Sequence, residues 1–118
     1  MAKNDFEDPK VLKGDRAAIY HIIRLIIADP GTYPLHPEMG VGLYSNYRYG
    51  WNDEILTKLR SHISEQLSIY MPELSGVSVN VKAVRHQVLI TIQFNSTIVT
   101  LVSDDKNKTL SIADLKGE

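Results

Sequence analysis

Val88-Leu89-Ile90-Thr91-Ile92-Gln93-Phe94-Asn95-Ser96-Thr97-Ile98-Val99-Thr100-Leu101-Val102 decides the fold. Its hydrophobic period is two. Val88, Ile90, Ile92 and Phe94 alternate with Leu89, Thr91 and Gln93, and Ile98, Thr100 and Val102 oppose Val99 and Leu101. Alternation places one set on a core face and the other on the opposite face of a sheet. Asn95-Ser96 is a tight-turn signal, so the two runs form a hairpin. Upstream, Val77, Val79 and Val81 alternate with Ser78, Asn80 and Lys82. Downstream, the polar run Ser103–Lys108 is a turn, and Thr109–Leu115 is a candidate last strand. An antiparallel meander follows.

The period changes before Gly76. Ile55, Leu56, Leu59, Ile63, Leu67 and Tyr70 repeat at helical spacing, so Arg60, Ser64 and Glu65 face solvent. Asn52 is a good N-cap, Asp53 and Glu54 suit the positive end of the helix dipole, and Pro72 ends the element. A first helix spans 16–28, with Asp15 as its expected cap and apolar residues at 19, 22, 23, 26 and 27. Asp29-Pro30-Gly31 stops it. The prediction is an α+β fold: two main helices joined by a long Pro/Gly/aromatic loop, packed on a three- to four-stranded antiparallel sheet. Residues 1–13 read as an N-terminal arm and 14–118 as one domain.

The chain has 118 residues, 13 Lys and Arg, 14 Asp and Glu, and a net charge of −1. Near-neutrality argues against sequence-independent nucleic-acid binding. Without Cys, disulfides, thiolate metal sites and Cys nucleophiles are excluded. The start lacks the apolar run of a signal peptide, and the most apolar stretch, 22–28, is too short to insert in a membrane.

Motifs of catalysis are thin. His36-Pro37-Glu38 has the spacing of zinc deaminases but lacks their Cys-x-x-Cys. His21, His62 and His86 fall on different elements. Gly40-Val41-Gly42 has no third glycine at position 45, so it is no dinucleotide loop. Glu38, Asp53 and Glu54 are the carboxylates near the loop; acids opening a helix commonly serve its dipole. No cofactor or metal is expected. The loop 30–51 is more informative. Tyr44, Tyr47, Arg48, Tyr49 and Trp51 are of the types enriched at binding hot spots, although rings of this kind also pack loops onto helices. The last two strands offer a sheet edge that another chain could extend.

Ile22-Ile23-Arg24-Leu25-Ile26-Ile27-Ala28-Asp29-Pro30-Gly31-Thr32, followed by Pro37-Glu38-Met39-Gly40-Val41-Gly42-Leu43, resembles the contractile-tail baseplate wedge family. That family includes the small wedge subunit of contractile phage tails and the sheath-initiating baseplate subunit of type VI secretion systems. The resemblance covers about residues 14–84. The family's Glu-Pro-Arg motif, which holds neighbouring wedge proteins, corresponds here to Met71-Pro72-Glu73; Pro72 matches and both charged residues are missing.

The resemblance implies a structural subunit that joins other baseplate wedge proteins and starts the contractile sheath by strand pairing. It would work in multiple copies within a six-fold assembly, located in the tail baseplate of a virion put together in the host cytoplasm. Expected interface residues are Pro30, Gly31, Pro37, Gly40, Gly42, Tyr44, Tyr47, Arg48, Trp51, Met71, Pro72, Glu73, Thr109 and Ile112. Some members of the family have been called lysozymes. No residue pair here would carry that activity, and the chain is expected not to be an enzyme. The alternatives are a small peptidoglycan hydrolase working through Glu38 or Glu54, and an anti-adaptor of the same fold that regulates a cellular protease or transcription complex.

Overall fold

The computed structural model describes residues 16–47, 51–85 and 87–117. The expected arm at 1–13, the Asp15 cap and Arg48 lie outside them. Three helices precede four strands: α1 (Ala17–Ile27), α2 (Leu43–Asn46), α3 (Asp53–Tyr70), β1 (Ser78–Val84), β2 (Gln87–Phe94), β3 (Thr97–Asp104) and β4 (Thr109–Lys116). The strands form one antiparallel sheet in the order β1-β2-β3-β4. This is the α+β architecture that the change of period foretells.

The sheet buries one face. Val88, Ile90, Ile92 and Phe94 from β2 and Val99 and Leu101 from β3 are fully buried against Ile19, Ile22 and Ile26 of α1 and Leu59 and Ile63 of α3. Asn95 and Ser96 both take positive φ (49° and 67°), the twist that a two-residue hairpin turn requires. The Asn95 side chain also accepts hydrogen bonds from the backbone N–H and hydroxyl of Ser75, tying the β2–β3 turn to the entry of β1. Ser103 occupies a core-facing position, and its hydroxyl accepts the Val88 N–H at 2.9 Å.

β4 carries one irregularity that the sequence reading lacks. Thr100 pairs with Asp114, but Leu101 pairs with Ile112, which leaves Ala113 as an extra residue. Such a bulge shifts the alternation by one position. Leu110 and Ile112 turn towards the core before it, and Leu115 does so after it, while Asp114 stays exposed.

The helices meet the long loop at its least ordinary point. α1 ends where Ala28 becomes extended (ψ 137°), leaving its last carbonyls in need of donors. The loop supplies them. Val41 N–H donates to Leu25 C=O at 3.0 Å and Gly42 N–H donates to Ala28 C=O at 2.8 Å. Gln66, buried near the C-terminal end of α3, secures the same stretch from the other side. Its Oε1 accepts Gly40 N–H at 2.8 Å, and its Nε2 donates to Glu38 C=O at 3.1 Å. Both halves of the amide are therefore used. The backbone of 40–42 passes so close to α1 that a Cβ on Gly40 would lie 2.5 Å from the Ala28 oxygen, and Gly40 has φ +122°.

Gly40→Ala combines this clash with a disfavoured backbone, so it is expected to cost about 3 kcal/mol or more. Gly31→Ala is the control. Gly31 also has positive φ (94°), but a Cβ there meets nothing within 4 Å, so the cost should stay near 1 kcal/mol. Urea unfolding followed by circular dichroism measures both; equal losses would contradict the close-approach account.

Candidate interaction surfaces

The aromatic residues of the loop serve two elements at once. Tyr44, on α2, reaches the β3–β4 turn. Its hydroxyl donates to Thr109 C=O at 2.5 Å and accepts Asp104 N–H at 3.0 Å, so one phenol holds both ends of the turn. Burial pushes the Tyr44 phenol above its ordinary pKa, partly offset by the Asp104 N–H. Tyr47 bonds His62 Nδ1 of α3 at 3.0 Å, and burial raises its pKa as well. Trp51 is half-buried and packs against the core just before the Asn52 cap, whose side chain accepts Ile55 N–H at 2.9 Å. The turn itself is stiffened by Asp104. Its carboxylate accepts from the Asn107 side chain, from Asn107 N–H and from Lys106 N–H, which lowers its pKa. Tyr44, Tyr47 and Trp51 thus act partly as packing.

The other residues expected at an interface divide into four groups. Pro30, Gly31 and Pro37 lie on an exposed excursion closed by Gly31 N–H donating to Pro37 C=O at 2.9 Å; its tip carries Leu35, 88% exposed. Gly40 and Gly42 are buried and work inside the fold, a correction to their placement on a surface. Met71 is 7% exposed, whereas Pro72 and Glu73 are open to solvent. Thr109 is exposed beside the Tyr44 hydroxyl, and Ile112 is half-buried towards the core. The fold therefore brings Tyr44, Tyr47, Trp51 and Thr109 together at one end and leaves Met71-Pro72-Glu73 at the far end of α3.

That far end borders a cleft of about 400 Å³ lined by His21 and Arg24 of α1, Tyr33 and Met39 of the loop, and Tyr70, Met71 and Glu73. Glu73 is its one carboxylate. Glu38 and Glu54 do not form a catalytic pair. The Glu38 backbone is bound to Gln66, and Glu54 lies twelve residues earlier on the same helix, about 18 Å along the axis. Paired glycosidase carboxylates sit within about 5–10 Å. Among the described residues, no group of three His, Asp or Glu is arranged to hold a metal ion, and no helix is long and apolar enough to cross a membrane.

Gln66 is the important residue that sequence reading missed. A lone glutamine between two leucine-type core positions of a helix looks like a solvated side chain, and nothing in the local pattern announces its distant partners.

In sequence, the chain matches no family model and no curated protein. In structure, it is similar to a protein of Geobacter sulfurreducens described as a "putative tail lysozyme". The two share a TM-score of 0.55 and 16% identity over 86% of each chain. At this identity the likeness is one of fold. It does correct one expectation: a protein with this fold carries a lysozyme description, so the view that the chain is not an enzyme does not stand.

Tyr44→Phe keeps the ring and removes both hydrogen bonds of the clamp. It is expected to cost about 1–2 kcal/mol and to speed hydrogen exchange of the Asp104 amide. Unchanged exchange at Asp104 would show that the hydroxyl does not hold the turn.

Proposed function

We propose that the chain is a structural subunit of a contractile-tail baseplate that joins neighbouring wedge proteins and starts the sheath by strand pairing. The observation that carries this reading is the outer edge of β4. The strand closes the meander, and among the described residues none pairs with its far side. An unpaired edge presents a row of backbone donors and acceptors to another chain. Support also comes from the sequence resemblance over residues 14–84 and from the fold shared with a protein described as a "putative tail lysozyme".

In this reading Thr109 and the exposed residues of β4 meet the first sheath subunits. The loop aromatics and the Met71–Glu73 turn meet wedge neighbours. The protein would then reside in the tail baseplate of a virion, in multiple copies around a six-fold axis. Deleting 109–118 is a poor test, because Leu110, Ile112 and Leu115 pack on the core and Thr109 binds Tyr44. Because the chain has no cysteine, one introduced thiol gives a unique site for a photo-crosslinker. A probe on Ser111→Cys, exposed on β4, should capture the sheath subunit in assembling tails; the same probe on Lys82→Cys, exposed on β1, should not. Equal capture from both edges, or none from β4 while sheath forms, would sink the strand-pairing model.

A second reading rests on the lysozyme description of the structurally similar protein. A cell-wall hydrolase acting through Glu38, Glu54 or the cleft residue Glu73 would clear a peptidoglycan gel. Clearing by the purified protein that disappears in one of the Glu→Gln variants would establish it; an intact gel would remove it.

A further inference from the structure

The loop and the β3–β4 turn enclose a pocket of about 100 Å³ lined by Tyr44, Tyr47, Trp51, Asp105 and Lys108. Three aromatic walls and one carboxylate form a surface for a positive charge. The ring faces are negative through their quadrupoles, and the acid adds a full charge nearby. The pocket already answers to a cation of its own: Lys108 Nζ sits 5.5 Å from the centroid of the Tyr44 ring, within the range of a cation–π contact. Two walls are fixed in advance. Tyr44 is held by Asp104 and Thr109, and Tyr47 by His62, so an incoming group need not order them.

We propose that the Tyr44–Tyr47–Trp51 pocket is a binding site for an alkylammonium group, with Lys108 acting as an internal occupant that the ligand displaces. Lys108 is well placed to leave. It is exposed and sits in the turn with φ +57°, so its ammonium can exchange the Tyr44 ring face for water. Asp105 stays behind to pair with the incoming charge. The volume suits a single cationic head group. The same chemistry arises from a free quaternary amine or from a lysine side chain of a partner protein. The inference does not depend on the tail assignment.

Trp51 is the chain's single tryptophan, so its fluorescence reads the pocket directly. The full chain is titrated with choline, with Nα-acetyl-lysine methylamide, and with 3,3-dimethyl-1-butanol, the uncharged shape analogue of choline. The ammonium probes should give a saturable change and the alcohol none. Lys108→Asn vacates the pocket with a residue suited to positive φ, and it should bind the better probe roughly two- to fivefold more tightly. Asp105→Asn should weaken binding by a similar factor. Preference for choline identifies a free amine, and preference for the lysine derivative identifies a protein side chain. The proposal fails if neither probe saturates in Lys108→Asn, if that variant binds no better than the parent, or if the alcohol matches choline.

Discussion

The Gln66 amide holds the molecule's two halves in relation. It is 5% exposed and grips the loop through a buried bond from Gly40 N–H and a part-buried one to Glu38 C=O. A buried amide left unpaired costs on the order of 1–3 kcal/mol, so Gln66 admits only conformations in which 38–40 lies against α3. That position in turn brings Val41 and Gly42 to the open carbonyls of α1 and places Leu43 in the core. The loop is long, yet it is anchored at its midpoint as firmly as a secondary-structure element. α2 and Tyr44, which reaches the β3–β4 turn, follow directly from this anchored stretch.

Much of the architecture was legible because its signals are local. Alternation in 88–102, the Asn95-Ser96 turn and the Asn52 cap each act within a few residues of one another. What was not legible depends on partners far away in sequence. Gly40 and Gly42 read as interface residues of the loop; inside the fold the Ala28 carbonyl leaves no room for a Cβ at Gly40, and both positions have positive φ. Tyr44 reads as a hot-spot residue, but its hydroxyl serves a turn 60 residues further on. The same ring still lines a pocket, so packing and recognition are not exclusive roles at this position. The candidate site was therefore half visible: residue types and segment were readable, their convergence was not.

The two ends of the molecule differ in character. At one, aromatic rings meet Asp105 and Lys108 of the β3–β4 turn around a small pocket. At the other, a wider cleft mixes His21, Arg24 and Glu73 with Tyr33 and Tyr70. Neither carries a large excess of one charge, in keeping with the net charge of −1. Recognition at such surfaces rests on shape and on a few placed groups rather than on a long-range field.

The bulge at Ala113 has a consequence for how the last strand can change over time. With the extra residue, Leu115 faces inward and Asp114 outward. Losing Ala113 would restore strict alternation with Leu115 still inward and Asp114 still outward, whereas flattening the bulge at the present length would turn the acid into the core and the leucine into water. The strand can therefore lose the bulged residue without moving its inward side chains, but it cannot slip by one position against β3. The edge can change its chemistry, and at the bulge even its length, while its register stays locked to the core behind it.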